Sequence, residues 1–273
     1  MHTVMTYISK GDKVLVPNPG YPTYSSAVQL AEGELVSYSL KEENGYMPDL
    51  AALPNEGVKM MIINYPHMPT GAVASKEALK AIVDWCRQHH VLLVNDNPYC
   101  FLRNDNPLSL LAIEGAKEVA IELNSLSKSH NMAGWRIGMI GGAKERIDEI
   151  LRFKSNMDSG MFLPLQLAAA TSLSLGDEWY AEQNKVYRAR EAKGLEIMET
   201  LGVECRENQA GIFLWGRIPN NESCYGFCDR LLYEKHIFLT PGGIFGDEGE
   251  KYVRISLCAS EELLQRVLDR IKG

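Results

Sequence analysis

Ser125-Leu126-Ser127-Lys128-Ser129-His130-Asn131-Met132-Ala133-Gly134-Trp135-Arg136-Ile137-Gly138 sets one lysine among small hydroxyl residues. An arginine follows eight positions later, with glycines around it. A protonated lysine amine is a poor nucleophile. It becomes useful when its surroundings depress its pKa, or when it is held as an imine to an aldehyde cofactor. Hydroxyls and a fixed guanidinium beside it suit a phosphate. Together they point to a lysine bound to pyridoxal phosphate. The plainer alternative is a solvated loop lysine, the fate of most lysines.

The chain around this stretch alternates short apolar runs with amphipathic helical stretches. Residues 13–17, 34–39, 58–64, 91–95, 118–123 and 136–142 read as strands, and 23–32 and 76–90 as helices. Ala78, Leu79, Ile82, Val83 and Cys86 recur at helical spacing, with Ser75 as N-cap. Such alternation predicts an α/β fold: a mostly parallel sheet with helices on both faces, whose ligands sit at the carboxyl ends of the strands. From about Ala143 helices dominate (143–157, 164–175, 177–201). Short strands follow at 203–205, 212–216, 237–239 and 252–257, with helices at 224–236 and 261–272. This is a smaller C-terminal α+β unit. The expected division is 1–185 for the large unit and 186–273 for the small one, with the boundary inside the long helix.

Composition sets bounds. The 273 residues are 45% hydrophobic and 23% charged, with a net charge of −7. This is an ordinary globular make-up, and the lack of a basic run argues against nucleic acid as a partner. No apolar run reaches the roughly 18 residues of a membrane span, and residues 1–10 do not read as a signal peptide. The six cysteines form no CxxC pair and read as free thiols of a reducing, cytoplasmic compartment. The histidines form no metal-ligand cluster. Gly138-Met139-Ile140-Gly141-Gly142 lacks the GxGxxG spacing of a dinucleotide site.

Four further residues supply partners for a pyridine cofactor. Asp96 ends the buried-looking strand 91–95, where a carboxylate needs a partner. A protonated pyridine nitrogen would serve, and would keep the ring an electron sink. An Asp capping the next turn is the alternative. Tyr99 could donate to the cofactor's phenolic oxygen, or could simply be a packed tyrosine. Tyr21, with Tyr24 as the other candidate, could stack on the ring or pack in the core. Arg254, alone in the alternating strand Tyr252-Val253-Arg254-Ile255-Ser256, has the planar fork that captures a carboxylate. By itself it would read as a surface strand arginine.

These residues carry a resemblance. The matching motifs are Asn18-Pro19-Gly20-Tyr21-Pro22-Thr23-Tyr24, Pro69-Thr70-Gly71, Asp96 with Tyr99, Ser125-Leu126-Ser127-Lys128, Gly134-Trp135-Arg136-Ile137-Gly138, and Pro241-Gly242-Gly243-Ile244-Phe245-Gly246 leading to Arg254. In this order the chain resembles, from end to end, the fold-type-I pyridoxal-phosphate-dependent aminotransferases of class I/II. The resemblance implies transfer of an amino group between an α-amino acid and a 2-oxo acid. It implies Lys128 as Schiff-base lysine and proton shuttle, Asp96 on the pyridine nitrogen, Tyr99 on the ring oxygen and Tyr21 stacked on the ring. It also implies Ser125, Ser127 and Arg136 on the phosphate, Arg254 on the substrate's α-carboxylate, and a homodimer. A carbon–sulfur β-lyase or decarboxylase of the same fold is the second reading, because one carbanion serves all three reactions. A non-catalytic shortened homologue is the third.

Two departures stand out. Where the family has asparagine before Pro-Thr-Gly, this chain has Met68, whose thioether cannot donate a hydrogen bond. The expectation is a raised imine pKa and altered carboxylate recognition. The family also carries a segment ahead of the place where this chain starts, including a Gly-rich turn that offers N–H groups to the phosphate. Residues 1–8 read as the remainder of the helix opened by that turn, with Met1, Val4, Met5 and Ile8 on one face. The expectation is a partial phosphate cup and weaker cofactor binding.

Overall fold

The apolar runs Val14-Leu15-Val16, Met60-Met61-Ile62-Ile63 and Leu92-Leu93-Val94 are buried along their whole length. Successive side chains of a strand point to opposite faces. Val14, Val16, Met60, Ile62, Leu92 and Val94 accordingly meet Val4, Val28 and Ile150 on one face. Leu15, Met61, Ile63 and Leu93 meet Ile82, Val83 and the second unit on the other. A sheet covered on both sides has this continuous apolar signature.

The computed structural model describes residues 1–219 and 222–273. The large unit runs α1 (His2–Tyr7), β1 (Lys13–Asn18), α2 (Pro22–Leu30), β2 (Glu34–Ser39), β3 (Val58–Ile63), α3 (Lys76–Gln88), β4 (Leu92–Asp96), α4 (Ala116–Val119), β5 (Ala120–Ser125), α5 (Leu126–Ser129), β6 (Gly138–Gly142), α6 (Lys144–Met157) and α7 (Leu163–Leu173), and the long α8 (Asp177–Thr200) leads from it to the second unit. Its six strands lie in the order β2-β1-β3-β4-β5-β6. All pairings are parallel except β5 with β6. The chain leaves β1 toward one edge and returns to pair β3 on its other side. Ligands of open α/β sheets sit beyond the strand ends at such a switch.

The second unit adds β7 (Glu204–Cys205), β8 (Phe213–Arg217), α9 (Cys224–Lys235), β9 (Thr240–Pro241), β10 (Tyr252–Ser256) and α10 (Glu261–Lys272). Its sheet order is β7-β8-β10-β9, all antiparallel. The expected α/β architecture with a smaller α+β unit is what the chain adopts.

Several boundaries move for local reasons. The expected strand 136–142 starts only at Gly138, because Arg136 sits in a left-handed turn with φ 54°. Residues 118 and 119 close the short helix α4 before β5 begins. Ile237 and Leu239 alternate inward as expected of a strand, but ladder pairing starts at Thr240. In α1, Val4 and Ile8 face the core while Met1 stays exposed and Thr3 is buried instead.

Candidate active site

Asp96 is the last residue of β4, at the carboxyl edge of the sheet. Its neighbour strands deliver Asn64 just past β3 and Ser125 at the end of β5. The loop after β1 brings Tyr21, the first turn of α2 brings Tyr24, and β8 and β10 of the second unit bring Phe213 and Arg254. All eight residues singled out from sequence line one cleft of about 470 Å³: Tyr21, Asp96, Tyr99, Ser125, Ser127, Lys128, Arg136 and Arg254. Tyr24, Asn64, Met68 and Phe213 line it too.

At one end the site is deep. The Tyr24 hydroxyl donates to Asp96 Oδ2 at 2.7 Å. Asn64 donates through Nδ2 to the Asp96 carbonyl, and its Oδ1 accepts from the Met68 N–H at 2.8 Å. Burial pushes the Asp96 carboxyl above its ordinary range, opposed by the Tyr24 bond. The same burial drives the Tyr24 phenol far upward, reinforced by the carboxylate. Tyr24 is therefore a neutral donor that braces Asp96. Tyr21 is half-exposed and meets Tyr24 edge to face, with ring centroids 5.6 Å apart. Of the two tyrosines, Tyr21 has the free ring and Tyr24 the engaged one.

At the other end the site is open. Ser125 caps α5, its Oγ accepting from the Ser127 N–H at 3.1 Å and lying 2.8 Å from Ser127 Oγ. Arg136 is exposed, and its Nη1 donates to the Ala133 carbonyl at 2.7 Å. Lys128 lies between the ends. Its carbonyl accepts from Gln183 Nε2 at 3.4 Å, while the residue itself lines the cleft.

Arg254 closes the third side. Val253 and Ile255 turn inward, so Arg254 faces the cleft, as the alternation of β10 predicts. Its guanidinium carbon lies 3.9 Å from the Phe213 ring centroid and 4.6 Å from that of Phe245. Nη1 donates to the Met68 sulfur at 3.3 Å, and the buried Nε has no partner among the described residues. Burial lowers this guanidinium to about 10, so it remains a cation at neutral pH. From sequence, Phe213 reads as part of an apolar strand, Ile212 to Trp215, near the small-unit side of the cleft, with core packing at least as good a reading as a role in choosing the substrate; its support of Arg254 carried no signal. In an antiparallel pair Arg254 lies opposite Trp215, which puts Phe213 on the same face as its diagonal neighbour.

Two glycines weld these segments. Gly71 has φ +69°, and a Cβ there would lie 2.7 Å from Gln209 Cβ. Gly246 has φ +128°, and a Cβ there would meet Asn18 Oδ1 at 2.1 Å. Only glycine allows these approaches. His67 turns away from the cleft: Nδ1 lies 2.8 Å from Thr70 Oγ1, and burial lowers its pKa to about 3.

The donor set fits pyridoxal phosphate on two counts and an amino-acid substrate on a third. A buried carboxylate with a single side-chain donor suits a protonated ring nitrogen. Paired hydroxyls beside an exposed guanidinium suit a phosphate. An underpartnered buried guanidinium suits a carboxylate. This fold and cleft define a pyridoxal-phosphate-dependent enzyme of fold type I.

Known proteins narrow the class. Residues 2–271 match the family aminotransferase class I and II. The chain is similar to the LL-diaminopimelate aminotransferase of Aquifex aeolicus, with 39% identity over 277 aligned positions. That alignment covers 100% of this chain and 72% of the relative. The Natranaerobius thermophilus enzyme of the same name is 38% identical, covering 97% and 70%. Among solved structures, substrate-bound BacF from Bacillus subtilis superposes with a TM-score of 0.94 at 36% identity, covering 99% of this chain and 70% of that one. A probable N-succinyldiaminopimelate aminotransferase from Thermus thermophilus gives 0.92 at 32%, covering 99% and 74%. The chain belongs to the class I and II aminotransferases. It is a pyridoxal-phosphate-dependent transferase acting between amino acids and 2-oxo acids. Among the described residues, no helix is long and apolar enough to cross a membrane.

Proposed function

We propose that Lys128 is the lysine of the reaction, that Asp96, Tyr99, Tyr21, Ser125, Ser127 and Arg136 hold the cofactor, and that Arg254 receives the substrate's α-carboxylate. The observation that carries this is the convergence of a buried anion, a paired-hydroxyl end and an underpartnered buried cation on the one cleft that holds Lys128. When bound, pyridoxal phosphate supplies a reactive aldehyde and an electron-accepting ring. Asp96 keeps a proton on the ring nitrogen, and Tyr24 and Asn64 keep Asp96 in place. Tyr21 covers one ring face. Ser125, Ser127 and Arg136 bind the phosphate. Arg254 fixes the carboxylate and so orients the substrate's α-carbon toward Lys128, whose amine moves the proton there. The relatives' names make LL-diaminopimelate the first amino donor to assay.

The test is an absorbance spectrum after adding pyridoxal phosphate, with amino transfer to a 2-oxo acid followed in parallel. Wild type gains a visible band and transfers the amino group. Lys128→Ala gains no such band and loses roughly 10³-fold or more in rate. An unchanged band in Lys128→Ala removes Lys128 from this role.

The same proposal includes a homodimer. Leu151, Met157, Phe162, Leu163 and Leu167, along α6 and α7, are all more than half exposed, and an apolar band of this kind marks an interaction surface. A monomer in sedimentation at micromolar concentration would overturn it. The proposal also puts the unit boundary within α8: Gln183 and Asn184 bond to Lys128 and Phe101 of the large unit, whereas Lys193 and Glu196 bond to Gln265 and Lys272 of the small one, with Glu191 reaching back to Arg103. This supports units near 1–185 and 186–273, and limited proteolysis with cuts only outside α8 would count against it. A cytoplasmic setting is supported by six free thiols, and cell fractionation tests it.

A further inference from the structure

Phe213 and Arg254 reach the cleft from the second unit, so something must fix that unit's strand against the large one. The segment before β8 is clipped at three places. The Ala210 N–H donates to the Gly71 carbonyl and the Gly211 N–H to the Leu102 carbonyl, each at 2.8 Å. The third clip is a side chain. Arg103 Nε donates to the Gly211 carbonyl and Nη2 to the Phe213 carbonyl, each at 2.9 Å. Nη1 pairs with Glu191 of α8.

This arginine is built in. Its side chain has no exposed surface, and its backbone takes φ 48°. Its N–H donates to Asn184 Oδ1 at 2.7 Å, and Asn184 Nδ2 donates to the Phe101 carbonyl at 2.9 Å. Arg103 lies four residues after Tyr99, in the segment that leaves Asp96. One guanidinium thus joins the Asp96–Tyr99 segment, the long helix and the first residue of β8. The Phe213 carbonyl is in its grip while the Phe213 ring supports Arg254. Lysine carries a single point charge and cannot serve two carbonyls and a carboxylate in this fork.

We propose that Arg103 is a positioning residue that fixes Phe213, and through it the Arg254 guanidinium, relative to Tyr99 and Lys128, and so sets the grip on the substrate's α-carboxylate. A clip of pure stability would leave ligand affinity alone. A positioning clip makes carboxylate affinity depend on a residue that never touches the ligand. The inference rests on Arg254 as the carboxylate residue.

The experiment uses the cofactor-loaded protein and the variants Arg103→Lys, Glu191→Gln, Phe213→Leu, Arg103→Lys with Phe213→Leu, and Arg254→Ala. It reads KM and kcat with diaminopimelate and, by calorimetry, the Kd of pimelate, a dicarboxylate that cannot donate an amino group. Arg103→Lys should raise KM and Kd by ~10-fold, a small displacement being enough for such a loss, with kcat within about two-fold. Adding Phe213→Leu should cost little more, because both changes act through one contact. KM and Kd unchanged in Arg103→Lys, or fully additive effects with Phe213→Leu, overturn the proposal. If Arg103→Lys does not fold, Glu191→Gln decides: a smaller shift in the same direction supports it, and unchanged KM and Kd overturn it. Arg254→Ala separates the two levels. If it leaves KM and Kd unchanged, the carboxylate assignment itself fails. If it raises them while Arg103→Lys does not, only the role of Arg103 falls.

Discussion

The two ends of the cleft are built in opposite ways. The Asp96 end lies at the edge of a doubly covered sheet, where Tyr24 braces the carboxylate and Asn64 holds the backbone carbonyl of the same residue. The Ser125–Arg136 end lies on a four-residue helix and an exposed turn, and its arginine donates to a carbonyl three residues back. A braced, desolvated charge acts strongly on what it touches. An exposed one is weakened by solvent and salt. The buried end should therefore control the rate, and the open end should control cofactor retention.

The comparison breaks most readily at Asp96. In the proposed role Asp96 would hold a proton on the ring nitrogen; Asp96→Asn removes that charge, and kcat should fall roughly 10²–10³-fold, as for loss of one preorganised catalytic partner. The apoprotein should respond in the opposite direction. The folded carboxyl has a raised pKa, so the folded state holds more protons than the unfolded one in that range. Its stability falls as pH rises through the range and is fully retained only below the unfolded value. Removing the buried charge should raise the apo melting temperature at pH 7 by about 2 °C, the effect of roughly 1 kcal/mol. That gain should vanish at acid pH. A scanning-calorimetry series from pH 4 to 8 checks both signs; an apo variant less stable at every pH refutes the account.

Arg136→Ala sharpens the other side. Loss of one charge-assisted hydrogen bond costs about 1.5 kcal/mol at an exposed position, roughly ten-fold in cofactor Kd. The melting temperature of the apoprotein should not move. Equilibrium dialysis at two salt concentrations measures this, and a loss in kcat at saturating cofactor would contradict it.

Met68→Asn is the smallest of the three. Met68 sits between the Asp96 end and the Arg254 side of the cleft: Asn64 accepts from its backbone N–H, and its sulfur receives a hydrogen bond from Arg254. A thioether is a weak acceptor, and an amide would return both a donor and an acceptor. KM for the amino donor should change by roughly three- to ten-fold, about the value of one hydrogen bond, and the pH midpoint of the cofactor's absorbance should shift. Identical midpoints and KM would show that the thioether is a passive filler.

The buried end was the more legible in the sequence. Asp96 could be placed because an apolar run long enough for one strand stops there, and Arg254 because it breaks an alternation. The braces were harder. Tyr24 is one of two tyrosines three residues apart, and nothing local says that one ring would engage Asp96 while the other stayed free. Asn64 carried no mark beyond its place as the last residue of an expected strand. Arg103 and Glu191 are 88 residues apart, and each alone looks like a surface charge. His67, beside Met68, turns its ring toward Thr70, a choice that its place in the sequence does not report.

The sequence by itself determined the sheet, the order of its motifs and the family they belong to. These rest on local periodicity and on side-chain chemistry, which neighbours along the chain report. Only the tertiary structure decided which tyrosine braces Asp96, that Phe213 supports Arg254, and that Arg103 ties the second unit's strand to the first. Those outcomes depend on contacts between residues far apart in the chain. Packing and burial select the partners there, and no local pattern encodes the choice.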